Sequence, residues 1–316
     1  MRPLRVLPEH RALPPGILPP GTDPAGAVVA ALEARRRPLP ARLVASALWP
    51  GEAAGWVPSP AIRASLLAHA LALGAGLAAP QHWPGLAGLL LGNHALLGFG
   101  MRPRSALLGP NLTRLPPARD PLPRPVALTF DDGPDPAVTP RVLDLLDRHG
   151  ARASFFVLGH LAERHPGLVR EIRARGHSVE NHTHAHPLSF GCWGPGAMRR
   201  EIARAQAAIA AACGEAPRFF RPPAGIRNPL LDPVLWQAGL RLVTWTRRGY
   251  DTVCPRPERV IARLAAGLDA GDILVLHDRP SPRGTPALAV LPALLETFAR
   301  RGLTAVSLRQ AVPRDA

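Results

Sequence analysis

Asp131 and Asp132 stand side by side at the end of the run Ala127–Phe130, just ahead of a Gly-Pro turn. Adjacent carboxylates repel unless a cation or a shared proton relieves them. A buried strand ending on such a pair is either a solvated turn or a reaction centre. His182 and His186 lie four residues apart in the stretch NHTHAHP, a spacing that one helical turn would bring to one side. With one of the carboxylates they form a His-His-Asp set, which suits a divalent metal with positions left open for water and substrate. His184, between them, is expected to point away. No cysteine stands in this cluster, so a catalytic site of the zinc type is expected and a structural one is not.

One carboxylate as ligand leaves the other free. Beside a cation it stays ionised and takes a proton from water that the metal acidifies. His277 can protonate a leaving group. Arg221 can hold the base carboxylate, Asp251 can orient or charge-tune a histidine, and backbone N–H groups near Ala224 can stabilise an oxyanion. Together these parts point to hydrolysis of an acyl bond.

The elements that must position them are short. Runs at 126–130, 153–157, 178–181, 218–221, 242–245, 272–276 and 303–307 are rich in β-favouring residues and alternate with amphipathic segments. Thr139 is expected to cap the first helix, Pro140 to sit in its first turn and Gly150 to end it, with Gly176 ending the next. Such alternation predicts parallel pairing, and the apolar strands predict burial on both faces. The expectation is an α/β barrel of seven or eight strands; an open doubly wound sheet is the alternative, though it lacks a GxGxxG turn. The Asp pair, the His cluster, Arg221–Gly225, Trp245–Asp251 and Leu276–Asp278 all follow strand ends. In a parallel barrel those ends converge on one face.

The five stretches TFDDGP, HTHAH, RPPAG, WTRRGYD and LHD, in this order over roughly residues 124–310, resemble the motifs of the NodB-like polysaccharide deacetylases, carbohydrate esterase family four. The resemblance implies a distorted (β/α)7 barrel and removal of an N-linked acyl group, usually acetyl, from an amino sugar. It implies a divalent metal, Zn2+ first, with Co2+, Ni2+ or Fe2+ as alternatives. By position, Asp131 matches the base, Asp132, His182 and His186 the metal ligands, and His277 the acid. Arg221 and Asp251 match the supporting pair, Leu276 a residue lining the acetyl pocket, and Pro222, Pro223 and Ala224 a substrate-binding loop. Two departures stand out. Ala224 occupies a place where the family often has Tyr, and Thr252 one where it often has Trp. Both bear on the sugar preference more than on the reaction.

The 316 residues are 47% apolar with a net charge of +15, enough for one large domain and an appendage. Every basic residue is Arg, a codon-composition signature that weakens the charge as a clue. No helix-turn-helix, zinc finger or aromatic stacking motif accompanies it, so no nucleic-acid partner is expected. Cys192, Cys213 and Cys254 are odd in number and have no CxxC spacing, consistent with free thiols.

Three regions are expected: a Pro/Arg-rich, mostly irregular segment at 1–60, with a short helix around Ala27–Ala34; an apolar helical hairpin at 61–104; and the deacetylase-like domain at 121–316. From Ala64 to Met101 there is no Asp, Glu or Arg. Pro80–Pro84 splits this run into halves of about 25 Å, near the lower limit for crossing a bilayer. Trp49, Trp56 and Trp83 could anchor at the interface. Arg63, Arg102, Arg104 and Arg114 flank the run and the turn has none, so both ends are expected on the cytoplasmic side of a bacterial inner membrane. No cleavable signal peptide is evident. A soluble hairpin is the alternative, favoured by His69, Asn93 and His94.

The expected partners are therefore an N-acetylated glycan or a lipid-linked amino sugar, and the membrane through residues 64–101. Three rival readings remain: a non-haem iron oxygenase, which the two His and one carboxylate also suit but which needs neither the second Asp nor His277; a catalytically silent carbohydrate-binding protein on the same fold; and a deformylase or O-acyl esterase using the same residues.

Overall fold

Eight short strands form one parallel sheet in this computed structural model, which describes residues 55–117, 124–281 and 286–312. The expected Ala27–Ala34 helix, Trp49 and nearly all of the 1–60 segment lie outside the described residues. The strands are β1 (Arg124–Asp131), β2 (Ser154–Val157), β3 (Ser178–Asn181), β4 (Phe219–Phe220), β5 (Arg241–Leu242), β6 (Arg247–Arg248), β7 (Ile273–His277) and β8 (Leu303–Val306). Their order is β5-β4-β3-β2-β1-β7-β6, with β8 paired to the start of β1. β1 is the hub: Asp131 lies level with Phe156 of β2 and His277 of β7.

Period-two alternation sorts the strand residues into two cores. Val126, Leu128 and Phe130 pack outward with residues such as Val142, Leu146 and Leu291. Ala127, Phe156, Phe219, Val243 and Ile273 pack together on the opposite side of the sheet. The barrel is open between β5 and β6, which do not pair. A segment ahead of residue 121 is built into that gap. Leu112 bridges to Val243 and Arg114 to Asp272, and Leu112 and Leu115 join the inner core. Buried Arg227 fixes the segment by donating to the carbonyls of Ser105, Gly109 and Pro110 at 3.2, 2.8 and 3.1 Å.

Two readings of the sequence need correction. β6 falls inside the WTRRGYD stretch, so that motif does not simply trail a fifth strand. Nor does Thr139 cap the helix Thr139–Arg148. Asp135 Oδ1 accepts from the N–H groups of Ala137 and Val138, just ahead of the helix, instead. The Thr139 hydroxyl accepts from Asp135 N and donates to Asp278 Oδ2 at 2.7 Å, which ties the turn after β1 to the end of β7. Gly150 does end the helix, at φ +59°.

Ahead of the barrel stand α1 (Pro60–Ala78) and α2 (Trp83–Gly100), joined by a short 3-10 turn. Ser59 caps α1 through Ile62 N. Only Ser65, Ala72 and Gly100 are buried in the pair; Leu73, Leu77 and Leu91 are more than 65% exposed. The polar residues face each other: Asn93 Nδ2 donates to Ser65 Oγ, and the His69 and His94 rings meet edge to face. By length and composition, α1 is long and apolar enough to cross a membrane.

Candidate active site

The catalytic candidates come together where β1, β3, β4, β6 and β7 end. Asp131 and His277 are the last residues of β1 and β7; His182 and Arg221 directly follow β3 and β4. Among the described residues, five non-glycine residues have left-handed φ: Asp132, Thr183, His186, Ala224 and Tyr250. All five are in these loops. Such conformations cost about 1–3 kcal/mol each and persist where the surroundings over-determine them.

Asp132 Oδ1 lies 3.3 Å from His182 Nε2 and 3.3 Å from His186 Nε2. The three ligand atoms sit within 4.8 Å of one another. Asp132 Oδ1 is buried and lacks a hydrogen-bond partner, as an oxygen reserved for a cation would. Each imidazole is set up to ligate through Nε2. His182 uses Nδ1 to donate to the Arg221 carbonyl at 2.7 Å, which fixes its tautomer. Burial lowers the pKa of His186, favouring the neutral ligand form. Burial alone would raise the Asp132 carboxyl, but the close approach of His182, with His277 and His186 behind it, outweighs that and holds it well below the usual carboxylate range. The residues present therefore fit a divalent ion.

The two histidines do not meet by a helical turn. Residues 182–186 form a loop, bent at Thr183 and His186. Asn181 Oδ1 accepts from Thr183 N, Thr183 Oγ1 from His186 N, and Glu201 Oε1 from His184 N and Ala185 N. His184 points away as expected, with Nε2 3.9 Å from Glu163.

Asp131 receives Arg221 Nη1 on Oδ1 at 2.5 Å. Arg221 is fully buried. It also donates to Thr129 Oγ1 and to the carbonyls of Val243 and Thr244, and its guanidinium lies 4.0 Å over the Phe156 ring. On the other side Asp251 accepts from His277 twice, Oδ1 from Nδ1 and Oδ2 from the backbone N–H, both at 2.9 Å. That leaves Nε2 of His277 for the substrate. Burial works against the charged imidazole, yet Asp251, with Asp131 and Asp132 behind it, raises its pKa above the ordinary histidine value.

This carries a pH prediction. A proton donor with a raised pKa works below that pKa, so activity falls as pH rises through it. Asp251→Asn removes the dominant raising interaction and moves the alkaline limb of the kcat/KM profile to lower pH. An unmoved limb in the variant's profile would remove His277 as the acid.

A cavity of about 200 Å³ lies over these groups. Asp131, Asp132, His182, His186 and His277 line it, with Ala224, Trp245, Arg248, Thr252 and Val275. A larger cavity of about 590 Å³ adjoins it; both share Asp132, His186, Leu188 and Arg279. Leu276 is a correction. It is fully buried in the outer core, while Val275 lines the cavity. Alternation from His277 on the same strand gives that parity: i−2 faces the site and i−1 faces away. Pro222 and Pro223 are buried and do not line the cavity; Ala224 does. The small Ala224 and Thr252 leave that wall open, and Trp245 supplies the aromatic surface there.

Three further residues were not singled out from sequence. Arg279 Nε approaches Asp132 Oδ2 at 3.4 Å. Arg248 stacks on Trp245 and Tyr250, at 5.0 and 5.1 Å. Asp278 is fully buried; burial pushes its carboxyl up to about 7, against the Thr139 hydrogen bond. Their positions, within two residues of LHD or inside WTRRGYD, were the available signal.

Comparison with known proteins finds likeness to deacetylases. The polysaccharide deacetylase family model matches residues 118–243. A chitooligosaccharide deacetylase of Bradyrhizobium sp. (strain ANU 289) is 40% identical over 160 residues, 50% of this chain and 73% of that one. A peptidoglycan-N-acetylglucosamine deacetylase of Bacillus cereus is 32% identical over 187 residues, 58% and 86% of the two chains. Among solved structures, the family 4 carbohydrate esterase from Streptomyces lividans in complex with acetate superposes with a TM-score of 0.52 at 35% identity, covering 57% of this chain and 90% of that one.

Proposed function

The chain belongs to the polysaccharide deacetylase family, and from that premise we propose that it hydrolyses the N-acetyl group of a lipid-linked amino sugar, with Zn2+ held by Asp132, His182 and His186. The observation that carries the reaction is one cavity walled by an Asp-His-His triad, an Arg-held aspartate and an Asp-held histidine. Two ligand atoms at zinc distances and a tetrahedral angle stand roughly 3.3 Å apart, the spacing Asp132 keeps to each imidazole.

The ion, when bound, polarises the acyl carbonyl and acidifies the attacking water. The chain's own groups do the rest. With Oδ1 engaged by Arg221, Asp131 takes the water proton on Oδ2. Arg221 keeps that carboxylate aimed. His277, held through Nδ1 by Asp251, gives a proton from Nε2 to the departing amine. The left-handed Ala224 brings a backbone N–H to the cavity wall, where an oxyanion can be met. The side chains of Trp245 and Val275 shield the acyl group from bulk water.

The membrane reading is supported by the exposed apolar surface of α1 and α2 and by the arginines that flank them. With both ends on the Arg-rich side, the barrel faces the cytoplasm. Proteolysis of sealed inner-membrane vesicles tests this: a barrel cleaved only from the external side overturns it.

Acetate release tests the reaction. N-acetylated chitooligosaccharides and an N-acetylated amino-sugar glycolipid should both yield acetate, chelation should abolish it, and Zn2+ should restore it. No acetate from any N-acetylated glycan, with metal supplied, sinks the reading.

A further inference from the structure

Outside the hairpin, exposed large apolar side chains among the described residues are Leu188, Ile226, Leu230, Tyr250 and Val253. They lie in the loops after β3, β4 and β6. These are the loops that carry His186, Ala224 and Asp251. The helices around the barrel present no exposed residue of this kind among the described residues. An apolar rim gathered at one end of a barrel is a contact surface.

The hairpin is rooted at the same end. Its exit segment packs Pro103 against Gly225, where an added Cβ would come within 2.8 Å of the Pro103 Cβ. Arg104 Nη1 donates to the Thr246 carbonyl at 3.2 Å, and Thr244 Oγ1 donates to Asn111 Oδ1 at 3.1 Å. Arg227, just past the loop that lines the cavity, clamps the segment through three carbonyls. The root is thus fixed to the loops after β4 and β5, at the mouth. Arg63, Arg102 and Arg104 are exposed at this root, and Arg279 is 46% exposed in the cavity wall. Guanidinium groups beside an apolar surface match the headgroup layer of an anionic bilayer, and Tyr250 is a residue type favoured at that depth.

We propose that the mouth of the barrel is itself a lipid-facing surface, on which Leu188, Ile226, Leu230, Tyr250 and Val253 meet the membrane interface and receive a membrane-anchored amino sugar directly into the catalytic cavity. The proposal rests on the deacetylase reading of the cavity and the membrane reading of the hairpin. A lipid-anchored substrate then reaches the cavity by lateral diffusion, with its acyl sugar raised only to the height of the rim.

The test uses the full chain in vesicles of phosphatidylethanolamine with a minor share of phosphatidylglycerol, some acyl chains carrying a spin-label quencher. With the native cysteines changed to Ser, a fluorophore is placed singly through Ile226→Cys on the rim, Leu77→Cys in the hairpin, or Arg148→Cys beyond the far ends of the strands. Quenching at the first two positions and not at the third is expected. Quenching at Leu77→Cys alone overturns the rim and leaves the hairpin in the membrane. Quenching at none overturns both, while acetate release from soluble oligosaccharide still judges the reaction separately. Rim fluorescence that responds to added chitooligosaccharide but not to lipid makes the rim a glycan platform and overturns the proposal. The triple variant Ile226→Ser, Leu230→Ser, Val253→Ser gives a functional reading. It should lose about tenfold in acetate release from vesicle-borne glycolipid and keep its rate on soluble oligosaccharide. An equal loss on both substrates contradicts the proposal.

Discussion

Asp131→Asn lowers the rate of acetate release by about 100- to 10,000-fold, the range for loss of a positioned general base, and leaves the metal content unchanged. The amide is isosteric with the carboxylate and still accepts from Arg221 through its oxygen, so the wall of the cavity persists. What disappears is the ability to take a proton. Asp132, one residue on, cannot replace it, because its Oδ1 faces His182 and His186 and a ligating oxygen is a poor base. Elemental analysis of the purified variant beside its acetate release separates the two roles. Loss of metal from Asp131→Asn, or a near-normal rate, would exchange or erase them.

Arg221→Leu costs about 3–5 kcal/mol of stability, the range for breaking a buried ion pair by removing one partner. Arg221 is fully buried, and its guanidinium satisfies Asp131, Thr129 and two carbonyls at once. Leucine leaves the Asp131 carboxylate without its cation and the carbonyls of Val243 and Thr244 without a donor. Arg221→Lys keeps the charge but not the fork, so it should fall between. Thermal melting of the full chain in detergent gives the ranking: wild type first, then Lys, then Leu. A Leu variant as stable as wild type would mean that Arg221 does not hold the site.

The placement of the chemistry was legible because each motif is local and sits at a strand end. A run such as Val126–Phe130 fixes its own direction, and parallel pairing brings its last residue level with His277. The parts that were not legible depend on contacts distant in sequence or on backbone conformations that no side-chain pattern encodes. His182 and His186 read as a helical turn, but the left-handed Thr183 and His186 produce the convergence. β6, two residues long, is too short to show a period. Leu112 and Leu115 close the gap between β5 and β6 from outside the expected domain boundary, and the long-range partners of Arg227 hold them there. Leu276 was one residue out of phase, an error that strand alternation counted back from His277 corrects. Arg279 and Arg248 gain meaning only once the cavity exists, since their type and spacing alone read as solvated charge.

Each of these readings depends on three side chains sharing one ion at the mouth of the barrel. Crystals grown with Zn2+ and measured at the zinc absorption edge test that directly. The anomalous density should show one peak within roughly 2.0–2.2 Å of an Asp132 carboxylate oxygen and of Nε2 of both His182 and His186. A peak bound elsewhere, or none at this triad with zinc in excess, would contradict the account.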